Sequence, residues 1–219
     1  MNYVDICPPS VVYEIQAADL KSSASANLIT WVEEHSDRKC AMAALEDVAK
    51  RLRADSNMTV VDLFCNAVAS YAHMLDEKQK ALIEAAYLRL AYNPAISFNY
   101  FLGLRNTGID IRDELRGKVG IDWSFESPRR DAETWDYYLY LATMEEPGAL
   151  DSLAAKIADT KSGNDVTLLL MSLAEVPGKG VDDILKSYAN DQRTADGVDG
   201  PGLPISANVG LLLMGRGAI

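Results

Sequence analysis

The sequence has few of the residues and patterns that most often carry chemistry. It holds two histidines and three cysteines among 219 residues, with neither a Cys-x-x-Cys pair nor a Gly-x-Ser-x-Gly elbow. These absences argue against the common zinc-ribbon, thiol–disulfide and serine-hydrolase sites. Gly178-Lys179-Gly180 lacks the glycine spacing of a phosphate-binding loop and the Ser or Thr that follows its lysine. The sequence therefore favours a protein that is not an enzyme, and it predicts no cofactor.

Long apolar runs are also missing. The longest candidate, Val209 to Met214, is far shorter than the roughly 18 residues of a membrane-spanning helix. The N-terminal segment lacks the basic start and apolar run of a signal peptide. The three cysteines, Cys7, Cys40 and Cys65, are too few and odd in number for a disulfide framework. We therefore expect reduced, mostly buried thiols, no membrane partner and a cytoplasmic location.

Positive charge is scarce. The chain carries 21 Lys and Arg against 32 Asp and Glu, a formal net charge of -11. Such a charge repels nucleic acid backbones, so nucleic acid is not expected as a direct partner. From Asp131 to Asp199 the sequence holds 14 acidic and 5 basic residues. This acidic C-terminal portion favours a basic protein partner; the alternative is a solvated surface that only keeps the protein soluble.

Helical periodicity dominates what is present, and alternating strand patterns are scarce. Ser10, Thr59 and Asp76 stand where helix N-caps are expected, with Thr59 and Asp62 in the form of a capping box. The Gly- and Asp-rich segment 193–204 is expected to be a flexible loop. The fold class predicted is all-α, an irregular antiparallel helical array. The expected helices span about 10–21, 26–35, 39–53, 59–74, 76–91, 95–104, 111–119, 134–144, 149–158, 165–175, 181–189 and 209–214.

The C-terminal half contains an internal echo. Leu139, Leu141 and Pro147 match residues at a shift of 30, and the following helix matches at a shift of 31. The run 166–171 recurs as 209–214, a shift of 43. Repeated helix pairs of this length resemble HEAT or armadillo-type proteins, and the resemblance implies a short α-solenoid in this half. We place an N-terminal helical bundle at 1–105 and a C-terminal repeat region at 106–219, with one continuous domain as the alternative.

Aromatic residues cluster in one predicted helix of the C-terminal half. Four aromatics within six residues cannot all face one core, because a helix turns successive side chains to different faces. At least one tyrosine should therefore be exposed, and Tyr and Trp are the preferred anchors of binding surfaces. Core packing is the alternative. The candidate binding residues are Trp135, Tyr137, Tyr138, Tyr140, Glu145, Glu146, Asp182 and Asp183.

These observations predict a non-enzymatic protein-binding module with an acidic helical surface. A concrete version is an inhibitor or immunity-type protein for a basic toxin or nuclease. One alternative is a helical enzyme, or a metal- or small-ligand-binding protein, with its site in the N-terminal half. Another is a homo-oligomeric scaffold subunit. Di-iron bundles use paired Glu-x-x-His motifs, in which a glutamate precedes a histidine by three residues. The candidate ligands of this chain do not stand in that order, so no metal is expected. The candidates for the N-terminal site are Glu34, His35, His73, Asp76 and Glu77.

Overall fold

The computed structural model describes residues 3–91, 98–118, 131–197 and 200–218. The chain divides into two compact units, Met1–Trp123 and Ser124–Ile219, which we call the N-terminal and C-terminal units. The sequence-based limits, 1–105 and 106–219, stay a prediction. Helices dominate both units, which confirms the all-α prediction. None of the described helices is long and apolar enough to cross a bilayer.

The described part of the N-terminal unit contains seven α-helices. Short 3-10 turns at Tyr3–Asp5, Ser23–Ser25 and Ala72–Met74 lie between or before them. The α-helices are α1 (Pro9–Ala17), α2 (Leu28–His35), α3 (Arg38–Arg51), α4 (Met58–Tyr71), α5 (Glu77–Leu90), α6 (Phe98–Thr107) and α7 (Arg112–Lys118).

The described part of the C-terminal unit contains five α-helices and a short hairpin. The hairpin separates the fourth helix from the fifth. The elements are α8 (Asp131–Thr143), α9 (Ala149–Asp159), α10 (Gly163–Leu173), α11 (Lys179–Ser187), β1 (Thr194–Gly197), β2 (Gly200–Pro204) and α12 (Ile205–Gly215).

The hairpin corrects the expectation of a flexible loop at 193–204. Its strands are antiparallel, with Thr194 opposite Pro204 and Gly197 opposite Gly200. β1 contacts α10 and β2 contacts α12, so each strand of the hairpin packs on one helix of the C-terminal unit. β1 ends in Asp196-Gly197, a pair typical of tight hairpin turns. The prediction was wrong because the segment has no alternating strand pattern, whereas packing on two helices stabilises a Gly- and Pro-rich ladder.

Helices in the N-terminal unit pack on neighbours two positions along the chain as well as on adjacent ones. α3 packs on α5, and α4 packs on both α2 and α6. The tightest approach is between α4 and α6, at Gly103. A Cβ added to Gly103 would lie 1.8 Å from the Tyr87 hydroxyl and 3.2 Å from the Cys65 carbonyl oxygen. Because Gly103 has no side chain, the fully buried Tyr87 fits against it.

The C-terminal unit repeats this alternation. α8 packs on α9, α9 on α10 and α11, and α12 on both α10 and α11. Trp135 of α8 donates from its indole N–H to the Ser172 hydroxyl of α10 at 2.9 Å, which joins α8 to α10. Helices α8, α10 and α12 thus form one row, and α9 and α11 form a second.

In the N-terminal unit, arginines at the ends of helices donate hydrogen bonds to neighbouring helices. Arg51, at the end of α3, donates to the Ile15 carbonyl oxygen of α1 at 2.7 Å and also bonds the Ala18 carbonyl oxygen. Arg89, near the end of α5, donates to the Ala49 carbonyl oxygen of α3 at 2.6 Å. The last carbonyls of a helix have no partner within it, so each such arginine satisfies groups that burial would otherwise penalise.

The same arrangement occurs in the C-terminal unit. Arg216, just after α12, donates to the Ala174 and Val176 carbonyl oxygens beyond the end of α10, at 2.5 and 2.8 Å. Arg193 donates to the Thr160 carbonyl oxygen at the end of α9, at 2.9 Å. Both units therefore use guanidinium groups to join helix ends about one helix pair apart in the chain.

Local signals set the helix starts with mixed success. Asp76 caps α5 as expected, forming a reciprocal capping box with Gln79. The box expected at Thr59 and Asp62 is wrong. Asn57 caps α4 instead, its side-chain oxygen accepting from the Thr59 N–H at 3.0 Å. Asn57 lies two residues before Thr59, and asparagine is a strong N-cap residue for the N–H groups that have no partner within the helix.

The cysteines correct a second expectation. Cys7 and Cys40 form a disulfide that closes 33 residues of chain and fastens the N-terminal segment to α3. Cys65 is free and buried. Three reduced thiols are therefore not what the structure contains, and a disulfide is typical of oxidising compartments. The cytoplasmic location stays a prediction.

Candidate functional site

The predicted aromatic anchors lie mainly in the core. Trp135, Tyr137 and Tyr140 are buried, and only Tyr138 of the four is partly exposed. The rings of Tyr137 and Tyr138 meet edge to face with centroids 5.8 Å apart. The reason is that α8 is buried from Thr134 to Tyr137 and from Leu139 to Ala142, so both of its aromatic faces find packing partners. Trp135, Tyr137 and Tyr140 thus follow the core-packing alternative, and Tyr138 is the one of the four that reaches the surface.

The predicted acidic residues separate into two groups. The Asp182 carboxylate accepts from Arg216 at 2.6 Å, so it serves to hold the end of α12. Asp183 is exposed one residue further along α11. Glu145 and Glu146 follow the end of α8 and lie together at the rim of a surface cavity. They are the part of the predicted set that the structure brings to one place.

This cavity, which we call the acidic cavity, has a volume of about 280 Å³. Asp151, in the first turn of α9, adds a third carboxylate to Glu145 and Glu146. Within the described part of the chain, the carboxylates of Glu145 and Asp151 have no ion-pair partner. The full lining is Ala142, Glu145, Glu146, Gly148, Leu150, Asp151, Pro177 and Gly178.

Glu145 adopts an unusual backbone conformation. Its φ of 55° makes it the one non-glycine residue with positive φ in the described ranges. The Glu146 N–H donates to the Leu141 carbonyl oxygen at 2.9 Å, the bond that ends a helix in a Schellman motif. Glycine is the usual residue at this left-handed position, where a side chain costs about 1 kcal/mol. A glutamate here presents a carboxylate at the cavity rim in spite of that cost.

Asp151 was missed by reasoning from the sequence, although a signal for it exists. The segment Glu145-Glu146-Pro147-Gly148 ends one helix and starts the next. Acidic residues in the first turn of a helix are favoured by the helix dipole. A tight connection brings that first turn close to the end of the preceding helix, so carboxylates on both sides of the connection face the same space.

A second cavity, of about 530 Å³, lies in the N-terminal unit between α3 and the start of α5. We call it the α3–α5 cavity. Its walls combine three exposed cations with apolar side chains, and Glu46 lies buried among them. Glu46 accepts from the Gln79 amide at 2.8 Å. The lining is Arg38, Lys39, Met42, Ala43, Glu46, Met74, Asp76, Lys78 and Gln79.

Three of the five residues considered for an N-terminal metal or catalytic site have other roles, and the remaining two, Glu34 and His73, are exposed. His35 stacks on Trp31 with centroids 4.2 Å apart and donates to the Trp31 carbonyl oxygen at 2.8 Å. Asp76 caps α5, and Glu77 pairs with Lys80 at 3.3 Å. In the ranges that the structure describes, no three His, Cys, Asp or Glu side chains lie together as ligands for a metal ion.

The free cysteine is poorly suited to nucleophilic chemistry. Cys65 is completely buried, and this burial raises the pKa of its thiol to about 12. Burial likewise raises the pKa of Tyr87 well above its ordinary value. Both groups are therefore protonated at neutral pH, whereas a cysteine nucleophile acts as the thiolate.

Comparison with known proteins found no matching family model, no matching curated protein and no matching solved structure. The features of the molecule that bear on function are therefore the two cavities and the charge and apolar character of the described surface.

Proposed function

We propose that this protein is a non-enzymatic binding module whose C-terminal unit engages a basic partner protein. One concrete form is an inhibitor or immunity-type protein that covers the basic active site of a toxin or nuclease. The observation that carries the proposal is the convergence of Glu145, Glu146 and Asp151 on one surface cavity.

The chemistry of the acidic cavity suits a cationic side chain. Carboxylates accept charge-assisted hydrogen bonds from Arg and Lys, and Arg can be held by two such bonds at once. The apolar wall of Ala142 and Leu150 can contact the methylene stem of the same side chain. The segment Ser124–Ile219 carries 15 acidic and 8 basic residues, and a field of one sign steers an oppositely charged partner.

The conformation of Glu145 supports a role for its carboxylate. A non-glycine residue in a costly backbone conformation indicates function, because strain of this kind concentrates at binding sites. Glu145→Gly removes about 1 kcal/mol of left-handed strain, and we expect it to weaken partner binding without loss of stability. A matched Glu145→Gln keeps the strain and removes only the charge.

We further propose that the two rows of helices belong to a short HEAT-like α-solenoid. The support is the alternation of α8, α10 and α12 with α9 and α11, together with arginine bonds between helices one pair apart. Such arrays present long continuous surfaces to protein partners.

The test compares partner capture by three immobilised proteins: the native protein, a cavity variant and a control variant. The cavity variant is Glu145→Gln, Glu146→Gln and Asp151→Asn, and the control removes three exposed charges elsewhere, with Glu34→Gln, Glu84→Gln and Asp159→Asn. The native and control proteins should each retain the same basic partner protein at about 0.05 M salt and release it near 0.5 M, because salt screens exposed charges. Equal capture by the cavity variant, or no basic protein at low salt, contradicts the proposal.

A second candidate function is binding of a small amphipathic anion in the α3–α5 cavity. Arg38, Lys39 and Lys78 would attract the anion, and the flexible thioethers of Met42 and Met74 can adapt to an apolar body. The probe is anilinonaphthalene sulfonate, whose fluorescence rises in an apolar site. We expect Arg38→Gln, Lys39→Gln and Lys78→Gln together to abolish the rise. An unchanged signal in that variant contradicts this candidate.

A further inference from the structure

Four large apolar side chains are exposed on two neighbouring helices of the C-terminal unit. Leu168 and Met171 of α10 are 63% and 51% exposed, and Leu211 and Met214 of α12 are 60% and 64% exposed. We call these four residues the Leu/Met patch. Scattered apolar residues are normal at a surface, whereas grouped ones mark interaction sites.

The two helices present these residues in the same register. Val166 and Leu170 of α10 are buried, and so are Val209 and Leu213, which stand 43 positions later in α12. The exposed pairs follow the same shift, from Leu168 to Leu211 and from Met171 to Met214. Equal burial at equivalent positions means that the two helices turn equivalent faces outward.

The helices are also side by side and parallel. α10 and α12 pack on each other, and Arg216 after the end of α12 bonds the Ala174 and Val176 carbonyl oxygens just beyond the end of α10. Their C-terminal ends therefore coincide. The four exposed side chains consequently form two pairs on adjacent helices of the row.

The charge carried within α10 and α12 is of one sign. Ile205–Gly215 contains no charged residue, and Gly163–Leu173 contains only Asp165. Asp165 and Glu175 are exposed and lie at helical spacing on either side of Leu168 and Met171. Arg216, which follows α12, is directed to Asp182 and to backbone carbonyls, and exposed Lys161 stands just before α10. The apolar face therefore has acidic residues at both ends of α10.

We propose that the Leu/Met patch binds an amphipathic helix that carries basic residues beside its apolar face. This inference rests on the proposed function and specifies the form of the basic partner. Apolar anchors at helical spacing fit a groove between two helices, and unbranched methionines adapt to different anchors. Lysines or arginines flanking the anchors would meet Asp165 and Glu175. A second copy of this chain is disfavoured because it would oppose like charges.

The test measures the affinity of a labelled synthetic helix of leucine and lysine, about four turns long. A peptide of the same composition, scrambled to remove the apolar face, is the peptide control. The patch variant replaces Leu168, Met171, Leu211 and Met214 with Gln. A matched protein control makes the same replacement at four exposed apolar residues of the N-terminal unit: Val4, Tyr13, Met58 and Phe98.

The native protein and the protein control should bind the amphipathic peptide at least roughly tenfold more tightly than the scrambled one. The patch variant should lose that preference, as should Leu168→Gln/Met171→Gln and Leu211→Gln/Met214→Gln to a smaller degree. If the patch variant binds the amphipathic peptide as tightly as the native protein does, the inference is overturned. A native dimer that the patch variant converts to monomer also overturns it, because the patch would then serve a second copy.

Capture of the basic partner by the patch variant and by the native protein separates this inference from the proposed function. If the patch variant captures the basic partner as the native protein does, the patch inference fails while the proposed function stands. If the native protein captures no basic protein and binds neither peptide, the proposed function fails and the patch inference fails with it.

Discussion

The N-terminal and C-terminal units use the same means of joining helices and leave different surfaces exposed. In both, arginines bond the carbonyls at the end of a helix about one pair earlier, as Arg51 and Arg216 show. The N-terminal unit adds a disulfide and a buried aromatic cluster formed by Phe64, Tyr87, Tyr100 and Phe101.

The C-terminal unit has a different balance. Its second row and α10 are packed mainly by aliphatic side chains, such as Leu153, Leu170 and Leu185. It also leaves Leu and Met exposed on α10 and α12 and gathers carboxylates at the acidic cavity. One way of packing helices therefore supports two different surfaces: both units expose large apolar side chains, but the C-terminal unit groups four of them on two adjacent helices and gathers carboxylates at one cavity.

The disulfide should give the largest difference between the units. Cys7→Ser should lower the free energy of unfolding of the N-terminal unit by roughly 3–4 kcal/mol, because the crosslink restricts a loop of 33 residues in the unfolded chain. Urea unfolding with and without a reducing agent measures this.

Thiol alkylation of protein taken directly from its cells tests the compartment: labelling of Cys7 and Cys40 without prior reduction would favour the cytoplasm.

The contact at Gly103 should be the next most sensitive feature of the N-terminal unit. Gly103→Ala places a methyl group against the Tyr87 hydroxyl, and overpacking of a closed core costs roughly 3 kcal/mol. Tyr87→Phe removes the atom in closest conflict, so the double variant should recover part of the loss. Thermal unfolding of the two single variants and the double variant measures the coupling. An additive double variant would show that the hydroxyl is not the source of the cost.

Arg216 is the corresponding sensitive point of the C-terminal unit. Arg216→Met should lower the free energy of unfolding by about 2–3 kcal/mol, since it leaves the partly buried Asp182 carboxylate without its cation. The double variant with Asp182→Asn should be less destabilised than the sum of the single changes. Chemical unfolding gives these values, and a loss below about 0.5 kcal/mol would be that of an ordinary surface substitution.

The smallest expected effect is a pH dependence. The bond from Arg193 lowers the pKa of Asp191 below its ordinary value of 3.8. A lowered folded-state pKa gives stability that is present above the unfolded pKa and is lost as pH falls through the folded one. The gap in urea midpoint between the native protein and Asp191→Asn should therefore be constant near pH 7 and shrink below about pH 4. Asp110→Asn, at a more exposed pair with Arg112, should show a smaller gap.

Sequence patterns predicted the helices well and the site only in part. Periodicity located the helices at Ala149–Asp159 and Lys179–Ser187 to within about two residues, and Asp76 predicted a cap. The aromatic residues of α8 left both surface exposure and core packing open, because periodicity shows how many faces are apolar and not how many neighbours cover them. Asp151 and the α3–α5 cavity were missed because their residues come together only through helix connections and packing.

The amino-acid sequence by itself determined the all-α class, the helix periodicity and the excess of negative charge in the C-terminal portion. These are properties of neighbouring residues and of simple sums. Only the tertiary structure decided that Cys7 meets Cys40, that segment 194–204 forms a hairpin, and that Tyr140 is buried while Met214 is exposed. Such outcomes depend on contacts between residues far apart in the chain, and their free energies are set by the burial that the whole packing arrangement provides.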